Sequence, residues 1–564
     1  MASTATFPAY VTGSIYPSIP NPQFPEQAFP EFDSSKKLVG VALSGGGPRA
    51  MSCAMGQMRG LLDSFISDAI GAISCVSGGS WFGTPFSFAP SSISDAELLG
   101  TQTPPAQLTV QALQNLNPVN ICFPLTGMYN SVITAVLTYQ YDINSVPWNK
   151  LWGRMLNAFF LDDLLLGDDQ TFFTLNTTTL NNLLAQNPSL THSNFYLLRS
   201  NRPFYIAGGT QNYPTDSNLI MRHMEYTAMY AGTPQQCGAI GPDGEHYGYG
   251  YIDNILFDTL QPKMVGNRSA VAFLNSNPYN SKKMPFLLCD QMGSSSSAPG
   301  SYLDFFNAPG WFPQFNYWSP AYTGKESTEL YSFTDGGDLE NTGIIPLLRR
   351  QFRLIIACVN TSLPLQNINY NDSNYVNGID AQISRLFGRQ PDPPGIIPDI
   401  QVFNDNGKFN ALANALITQK ANGKPLLYSD TYTIYPNNYF GVPAYPDGEE
   451  VVVLWVYNDM NKEWYNQLPT TVQSLLTSTA PDNYMANFPN LATVFQNKGK
   501  IAGVWVPEVL QYTPQQINLL ANMQYYNIMG DTSTKMLTEI MKSIRQVYKD
   551  FERKTPAKKK KVLQ

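Results

Sequence analysis

The sequence has little charge, few histidines and no long apolar run. Only 14% of its 564 residues are charged, against roughly 25% in an average soluble protein. No window approaches the ~18 consecutive apolar residues of a membrane-spanning helix. The N-terminus has neither a basic start nor an apolar segment, so we expect no secretory signal. Aromatic residues make up 13% of the chain, which excludes a disordered protein.

The six cysteines show no pattern of a metal or disulfide site. No two of them form a Cys-x-x-Cys pair, and no His/Cys cluster has zinc spacing. Several lie in apolar segments, such as Cys289 and Cys358. We therefore expect reduced core cysteines in a cytoplasmic protein, and neither a metal nor another cofactor.

Charge is distributed unevenly along the chain. The net charge is −7, yet from Lys542 onward nine basic residues face two acidic ones. An acidic body with a basic tail is not typical of a nucleic-acid-binding domain, so we expect no nucleic-acid partner. Apolar spacing predicts an amphipathic helix over residues 535–551, ended by Pro556. Three interpretations of the segment 535–564, which includes Lys558–Lys561, stay open: anionic-lipid binding, nuclear import, or a helix packed on the body with a solvated tail.

The first residues of the core repeat one local pattern. Residues 1–36 interleave prolines with aromatics, which is typical of an extended arm. An apolar run at 38–43 is followed by glycines and a helical pattern over 49–62, and a second run at 72–76 is followed by the turn 77–80. Two strand–turn–helix units predict a parallel sheet with crossover helices.

The rest of the core is predicted to contain three further strands and a long irregular middle. Apolar runs or alternation predict strands at 329–334, 352–359 and 451–456. The middle, about 90–280, is polar-aromatic with one helix-like stretch near 151–166. We expect it to form a cap within a catalytic domain that spans 37–534.

The first candidate motif is the segment 44–51 (SGGGPRAM). A glycine-rich turn between a strand and a helix exposes main-chain N–H groups, which can hold an oxyanion or a phosphate. The segment lacks the spacing of a dinucleotide fingerprint or a P-loop. Taken alone, it favours a structural turn.

The second and third motifs supply a nucleophile and an acid. In the segment 75–81 (CVSGGSW), Ser77 follows a strand and precedes a helix, as a serine nucleophile requires, although Cys75 stands where a glycine is usual. Asp335, followed by two glycines, ends another strand and can point into the same crevice. Each motif alone could be an ordinary turn.

The histidines argue against the usual hydrolase triad. The three present, His192, His223 and His246, all precede Asp335, whereas the triad order is Ser, acid, then His. If Ser77 is a nucleophile, we expect Asp335 to act directly as its base.

Together the motifs resemble a known family. SGGGPRAM, then VSGGSW, then DGG in this order resemble the catalytic domain of cytosolic phospholipase A2 and fungal phospholipase B (lysophospholipase), in the patatin-like superfamily. The segments 292–297 (MGSSSS) and 225–227 (EYT) are similar to further family segments. The resemblance implies an α/β-hydrolase-like (patatin-type) mixed, mostly parallel sheet flanked by helices, with a large cap.

The resemblance also implies roles for individual residues. Ser77 would be the nucleophile and Asp335 the general base. Gly46 and Gly47 would donate to the oxyanion, and Arg49 would hold the substrate phosphate, which its guanidinium fork suits. No metal is implied.

The expected function is therefore hydrolysis of acyl esters in glycerophospholipids or lysophospholipids through an acyl-enzyme, at a phospholipid membrane surface or a micelle. Three alternatives stay open: acyl transfer to another acceptor, hydrolysis of other esters, and a catalytically inactive lipid-binding protein.

Overall fold

The structure is a computed structural model of the full chain. It describes the following residues: 8–16, 24–32, 38–127, 146–214, 219–234, 239–240, 246–247, 250–297, 313–320, 328–370, 378–389, 399–445, 450–478, 483–492, 499–501, 504–506 and 511–554. Cys237 and the lysine-rich tail 555–564 lie outside the described residues.

Strands occur along most of the chain. Their bounds are β1 (Tyr10–Tyr16), β2 (Val39–Leu43), β3 (Ile70–Val76), β4 (Phe172–Thr174), β5 (Phe195–Leu197), β6 (Phe204–Pro214), β7 (Leu219–Thr227), β8 (Tyr230–Thr233), β9 (Ala239–Ile240), β10 (His246–Tyr247), β11 (Gly250–Asp253), β12 (Thr259–Met264), β13 (Ser269–Leu274), β14 (Gln314–Tyr317), β15 (Glu329–Asp335), β16 (Leu354–Val359), β17 (Leu427–Thr433), β18 (Glu450–Tyr457), β19 (Gly499–Ile501) and β20 (Val504–Val506).

Helices lie between them. Their bounds are α1 (Gly47–Asp63), α2 (Gly78–Phe88), α3 (Asp95–Leu99), α4 (Val110–Gln114), α5 (Leu151–Leu156), α6 (Thr177–Gln186), α7 (Leu288–Ser295), α8 (Ile345–Arg349), α9 (Ala381–Leu386), α10 (Lys408–Ala421), α11 (Lys462–Tyr465), α12 (Thr470–Thr477), α13 (Pro514–Met529) and α14 (Asp531–Lys554). Single 3-10 turns, including Pro25–Ala28 and Pro30–Phe32, lie in several of the connections.

One 14-stranded mixed sheet organises the fold. Its order is β12-β13-β1-β11-β8-β7-β6-β3-β2-β16-β18-β17, and β15 pairs with both β6 and β14. The five strands β6-β3-β2-β16-β18 run parallel, and antiparallel strands extend them on both sides. The α/β class with a mixed sheet and helices is confirmed, and both predicted strand–turn–helix units are present as β2–α1 and β3–α2.

The middle of the chain differs from the irregular segment expected from the sequence. The strands β6, β7, β8, β11, β12 and β13 belong to the main sheet itself. One of these strands, β7, buries charge where apolar residues would be expected: Glu225 is fully buried and lies 2.6 Å from Nη1 of Arg349. Burial alone would raise the pKa of Glu225, but Arg350 and Arg349 lower it to about 2.

The N-terminal arm is part of this fold. β1 lies in the sheet between β13 and β11. Further along, Glu26 is buried, with one carboxylate oxygen 2.6 Å from Nε of Arg350 and the other accepting a hydrogen bond of 2.7 Å from the hydroxyl of Tyr230. The proline-rich arm therefore contributes Glu26, whose carboxylate balances the charge of the buried Arg350.

The predicted C-terminal amphipathic helix is confirmed as α14. Its apolar stripe begins with Leu537, Ile540, Met541 and Ile544, all of which are buried against the body. Among the helices of the described residues, none combines the length and the apolar character needed to cross a bilayer.

A buried carboxylate joins β1 to β11. Asp253 accepts a hydrogen bond of 2.7 Å from the N–H of Ser14 and one of 3.1 Å from the hydroxyl of Tyr16. Burial raises the pKa of Asp253 to about 7, although both hydrogen bonds oppose that shift.

This raised pKa predicts a pH-dependent stability. The folded state favours the protonated carboxyl, so its contribution is fully present below the ordinary pKa of 3.8 and is lost as the pH rises to about 7. Asp253→Asn, which mimics the neutral form, should gain about 1–3 kcal/mol of unfolding free energy over the wild type between pH 5 and pH 8. Urea denaturation across this range measures it. Exposed Asp169→Asn is the control, and a wild-type–variant difference that stays constant with pH would contradict the assignment.

Candidate active site

Two strands meet end to end on β6, and this brings the predicted nucleophile and acid together. β3 runs parallel to β6 and ends with Val76 opposite Gly208. β15 runs antiparallel to β6 and ends with Asp335 opposite Gly209, the next residue. The carboxyl ends of β3 and β15 therefore meet at the same point along β6. The sequence had suggested a different geometry, in which both strands end at the carboxyl edge of one parallel sheet.

Ser77 lies at this point in a strained backbone conformation. Its φ of 51° and ψ of −121° are unusual for a residue other than glycine. Its Oγ donates a hydrogen bond of 2.7 Å to Oδ2 of Asp335. A sharp turn between a strand and a helix that exposes the hydroxyl is the geometry of a nucleophilic serine.

Cys75 is accommodated without disturbing this turn. Its side chain is fully buried beneath α2, where a Cβ on Gly83 would lie 2.5 Å from its Sγ. The turn has a cysteine at position 75 where a glycine is usual, and the absence of a side chain at Gly83 on the facing helix leaves room for it. Burial raises the pKa of the Cys75 thiol well above its usual range, so the thiol stays protonated.

The two glycine-rich turns pack directly against each other. A Cβ on Gly78 would lie 2.3 Å from the carbonyl oxygen and 2.4 Å from the nitrogen of Gly47, so only glycine fits there. Gly46 and Gly47 have φ values of 136° and 56°, which side chains disfavour. The main chain of the first turn is thereby held beside the turn that carries Ser77.

This packing also brings two helix N-termini together. α1 begins at Gly47 and α2 at Gly78. The first N–H groups of a helix have no partner within the helix, and its N-terminus carries a partial positive charge. The site therefore suits a developing negative charge next to Ser77 Oγ.

Asp335 is held by contacts on several atoms. It is 4% exposed. Its Oδ1 accepts a hydrogen bond of 2.7 Å from the N–H of Gly337, and its carbonyl oxygen accepts one of 2.9 Å from Oγ1 of Thr210. These contacts leave Oδ2 directed at Ser77.

Sequence reasoning missed two residues that shape the site. The Oδ1 of Asn341 occupies the space beside Gly45 and Gly337, lying 2.1 Å and 2.8 Å from where their Cβ atoms would be. The N–H of Ser77 donates to the carbonyl oxygen of Ser295 (3.1 Å) and to its Oγ (3.2 Å). Only the serine run 294–297 gave a signal, through its similarity to a family segment.

Arg49 lies at the site but is buried, with 3% of its surface exposed. Its Nε donates to the carbonyl oxygen of Asn360 (2.8 Å) and its Nη1 to that of Leu491 (2.6 Å). Its Nη2 lies 2.5 Å from where a Cβ on Gly46 would be. The guanidinium therefore lies directly behind the first glycine turn.

No described histidine contacts Ser77. His223 is buried on β7 and accepts a hydrogen bond of 3.3 Å at Nδ1 from Arg349, which only donates. Burial and the adjacent Arg349 lower the pKa of His223 to about 3, so its ring is neutral. His192 is exposed, and the side chain of His246 lies outside the described part of the chain.

The other chemical groups of the described residues form no second site of this kind. Five cysteines, at positions 53, 75, 122, 289 and 358, are buried free thiols. Within the described ranges, no group of three or more His, Cys, Asp or Glu residues is arranged to hold a metal ion.

Comparison with known proteins gives limited information. No protein-family model matches the chain, and no curated protein matches it. Two solved structures of human GIVD cytosolic phospholipase A2 are similar to 90% and 92% of the chain, with TM-scores of 0.44 and 0.40 and 11% sequence identity; the second is a complex with methyl gamma-linolenyl fluorophosphonate. The match covers 60% of each solved chain. This likeness establishes neither an activity nor the role of any residue here.

The contact between the two turns predicts an asymmetric response to a single methyl group. Gly78→Ala would place a Cβ within 2.3–2.6 Å of three Gly47 main-chain atoms, which should cost about 1–3 kcal/mol of unfolding free energy. Gly127→Ala is the matched control, because nothing lies within 4 Å of its Cβ position and its φ is −113°. Urea denaturation of both variants measures the difference, and equal stabilities would show that the turns can separate freely.

Proposed function

We propose that this protein is a serine esterase that hydrolyses the acyl esters of glycerophospholipids or lysophospholipids. The observation that carries the proposal is the hydrogen bond of 2.7 Å from Ser77 Oγ to Asp335 Oδ2 at a strained strand-to-helix turn. The order of the three sequence motifs supports the lipid class. The five buried free thiols fit a reducing compartment such as the cytoplasm.

In the first step Ser77 Oγ attacks the acyl carbonyl carbon and Asp335 takes the hydroxyl proton. The carbonyl oxygen becomes an oxyanion, which the N–H groups of Gly46 and Gly47 and the two helix N-termini stabilise. The intermediate collapses, the ester C–O bond breaks, and Asp335 returns the proton to the leaving alcohol. An acyl-enzyme on Ser77 and a lysolipid or glycerophospho-alcohol result.

In the second step water attacks the acyl-enzyme. Asp335 accepts a proton from the water, the oxyanion forms in the same place, and the C–O bond to Ser77 breaks. The proton passes from Asp335 to Ser77 Oγ, which restores the hydrogen-bonded pair and releases the fatty acid.

Arg49 supplies the positive charge for the phosphate in this proposal. Its Nε and Nη1 donate to main-chain carbonyls, which fix the guanidinium, and its Nη2 lies next to Gly46, so the charge would act on a phosphate bound beside the first glycine turn. A guanidinium can hold two carbonyls and an anion at once, whereas an ammonium group acts as a point charge.

If Ser77 and Asp335 act as a catalytic dyad, each of them is essential for ester hydrolysis. Ser77→Ala and Asp335→Asn should each lower fatty-acid release from mixed phospholipid vesicles by ~10³-fold or more, because the two residues act as a unit. Lipid mass spectrometry measures the release and identifies the products. Asp338→Asn, three residues further along and half-buried, is the matched control and should retain activity.

The outcomes separate the alternatives. An active Asp335→Asn with an inactive Ser77→Ala would point to another base. Transfer of the acyl group to added lysolipid or alcohol would identify an acyltransferase, and release only from neutral or water-soluble esters would change the substrate class. A wild-type protein that releases no fatty acid and does not react with a fluorophosphonate probe would refute the proposal that this protein is an enzyme.

The role of Arg49 predicts a split between substrates. Arg49→Lys should lower lysophospholipid hydrolysis by about 10- to 100-fold, the cost of one or two charged hydrogen bonds, while hydrolysis of p-nitrophenyl butyrate, which has no phosphate, changes far less. Arg59→Lys on the same helix, where Arg59 pairs with Asp63 at 3.1 Å, is the control. Equal losses on both esters would mean that Arg49 acts only through the fold.

A further inference from the structure

One region of the chain carries only positive charge. Residues 259–289 contain Lys263, Arg268, Lys282 and Lys283 and no acidic residue, in a protein of net charge −7. The segment forms β12, β13 and the turn that follows them, at one end of the main sheet. Lys263, Arg268 and Lys282 are exposed. The rest of the protein therefore has a more negative net charge, although the segment from Lys542 onward is basic as well.

The same end of the sheet carries exposed apolar side chains. Of the nine large apolar side chains that are exposed among the described residues, five lie here: Tyr10, Met264, Val265, Phe273 and Tyr279. Tyr10 and Phe273 are 59% and 48% exposed. Tyr10 and Phe273 are direct cross-strand neighbours, and adjacent exposed aromatic side chains are unusual for a surface that meets only water.

Strand register explains how the apolar and basic residues come to share one face. Phe273 on β13 lies directly opposite Tyr10 on β1 and Leu260 on β12, so the three form one row. In the next row on this face, Val271 lies opposite Lys263. The alternate residues of β13, which include Ala272 and Leu274, point inward and are buried. The outer face therefore carries an apolar row with a lysine in the next row.

We propose that this face, defined by Tyr10, Leu260, Val271, Phe273 and Lys263, with Arg268 in the adjoining turn, docks on an anionic phospholipid bilayer. Aromatic and aliphatic side chains insert at the level of the headgroups, and lysine and arginine pair with anionic lipids. The complementary charge selects this occupant, because the basic residues beside the exposed aromatic row attract an anionic surface.

The face lies away from the nucleophile. Six strand-to-strand steps separate β13 from β3, which at about 4.8 Å each is roughly 29 Å along the sheet. Docking would therefore hold the enzyme at the bilayer without entering the reaction. The inference rests on the proposed function only in that the bilayer is taken to contain the substrate.

The test measures binding separately from turnover. Co-sedimentation with phosphatidylcholine vesicles, with and without 30% phosphatidylserine, is measured in a Ser77→Ala background so that lipid is not consumed. Tyr10→Ser/Phe273→Ser should weaken binding by about tenfold or more. Lys263→Gln/Arg268→Gln should weaken it by about fivefold per residue at low salt, and by little at 0.5 M NaCl, where charge is screened. Phe65→Ser, at 50% exposure on another part of the surface, should bind like the parent. All variants retain the C-terminal tail.

The outcomes distinguish this surface from the esterase proposal. Unchanged binding of both double variants, or an equal loss in Phe65→Ser, would overturn the docking surface. A double variant whose oligomeric state changes, as measured by ultracentrifugation, while its vesicle binding does not would also overturn the docking surface. This result would identify a second copy of this chain as the occupant. Hydrolysis of dispersed p-nitrophenyl butyrate by the enzyme with Ser77 intact should be the same in all variants. If binding follows the prediction but no ester is hydrolysed, the esterase proposal alone fails.

Discussion

The end-to-end meeting of β3 and β15 on β6 is the constraint on which the rest of the site depends. Val76 and Asp335 face consecutive glycines of β6, so the residue after one strand and the last residue of the other must be close. The contact leaves no space for side chains: a Cβ on Gly336 would lie 2.4 Å from the carbonyl oxygen of Gly208. The Ser77–Asp335 hydrogen bond thus follows from the register of the strands. It does not depend on the conformation of long flanking loops.

The position of β6 is in turn supported by buried charge. Its neighbour β7 carries Glu225, which contacts Arg349 and Arg350, and Arg350 is also paired with Glu26 from the N-terminal arm. Burying four charges is unfavourable unless each is paired and hydrogen-bonded. Loss of Glu26 would leave two arginines facing one carboxylate, so the arm contributes to the charge balance beneath the sheet that holds the dyad.

The sequence predicts those parts of the fold whose signals are local. The strands β2, β3, β16 and β18 are buried on both faces and appear as short apolar runs, and the glycine turns follow two of them. The strands β6 to β13 were not predicted, and in β7 the charged residues Arg222 and Glu225 stand where an apolar alternation would be expected. That Ser77 and Asp335 lie close together was expected only from the strand ends and the order of the motifs. The antiparallel register that produces this contact joins Asp335 to Gly209, residues far apart in the sequence, and leaves no local trace. The buried contacts of Arg49, made with main-chain carbonyls near positions 360 and 491, were unpredictable for the same reason.

A serine paired directly with an aspartate places an unusual demand on the rest of the site. A carboxylate is ordinarily a weaker base than an imidazole, and Asp335 already accepts hydrogen bonds from Ser77 and Gly337. In the proposed reaction, proton transfer to Asp335 would therefore be favourable only if the oxyanion that forms at the same moment were strongly stabilised. Two helices begin side by side at Gly47 and Gly78, held in contact because these two residues carry no side chain, and their N-termini would supply that stabilisation. If Asp335 is the base, the proposed reaction depends on these glycines as much as it depends on the aspartate.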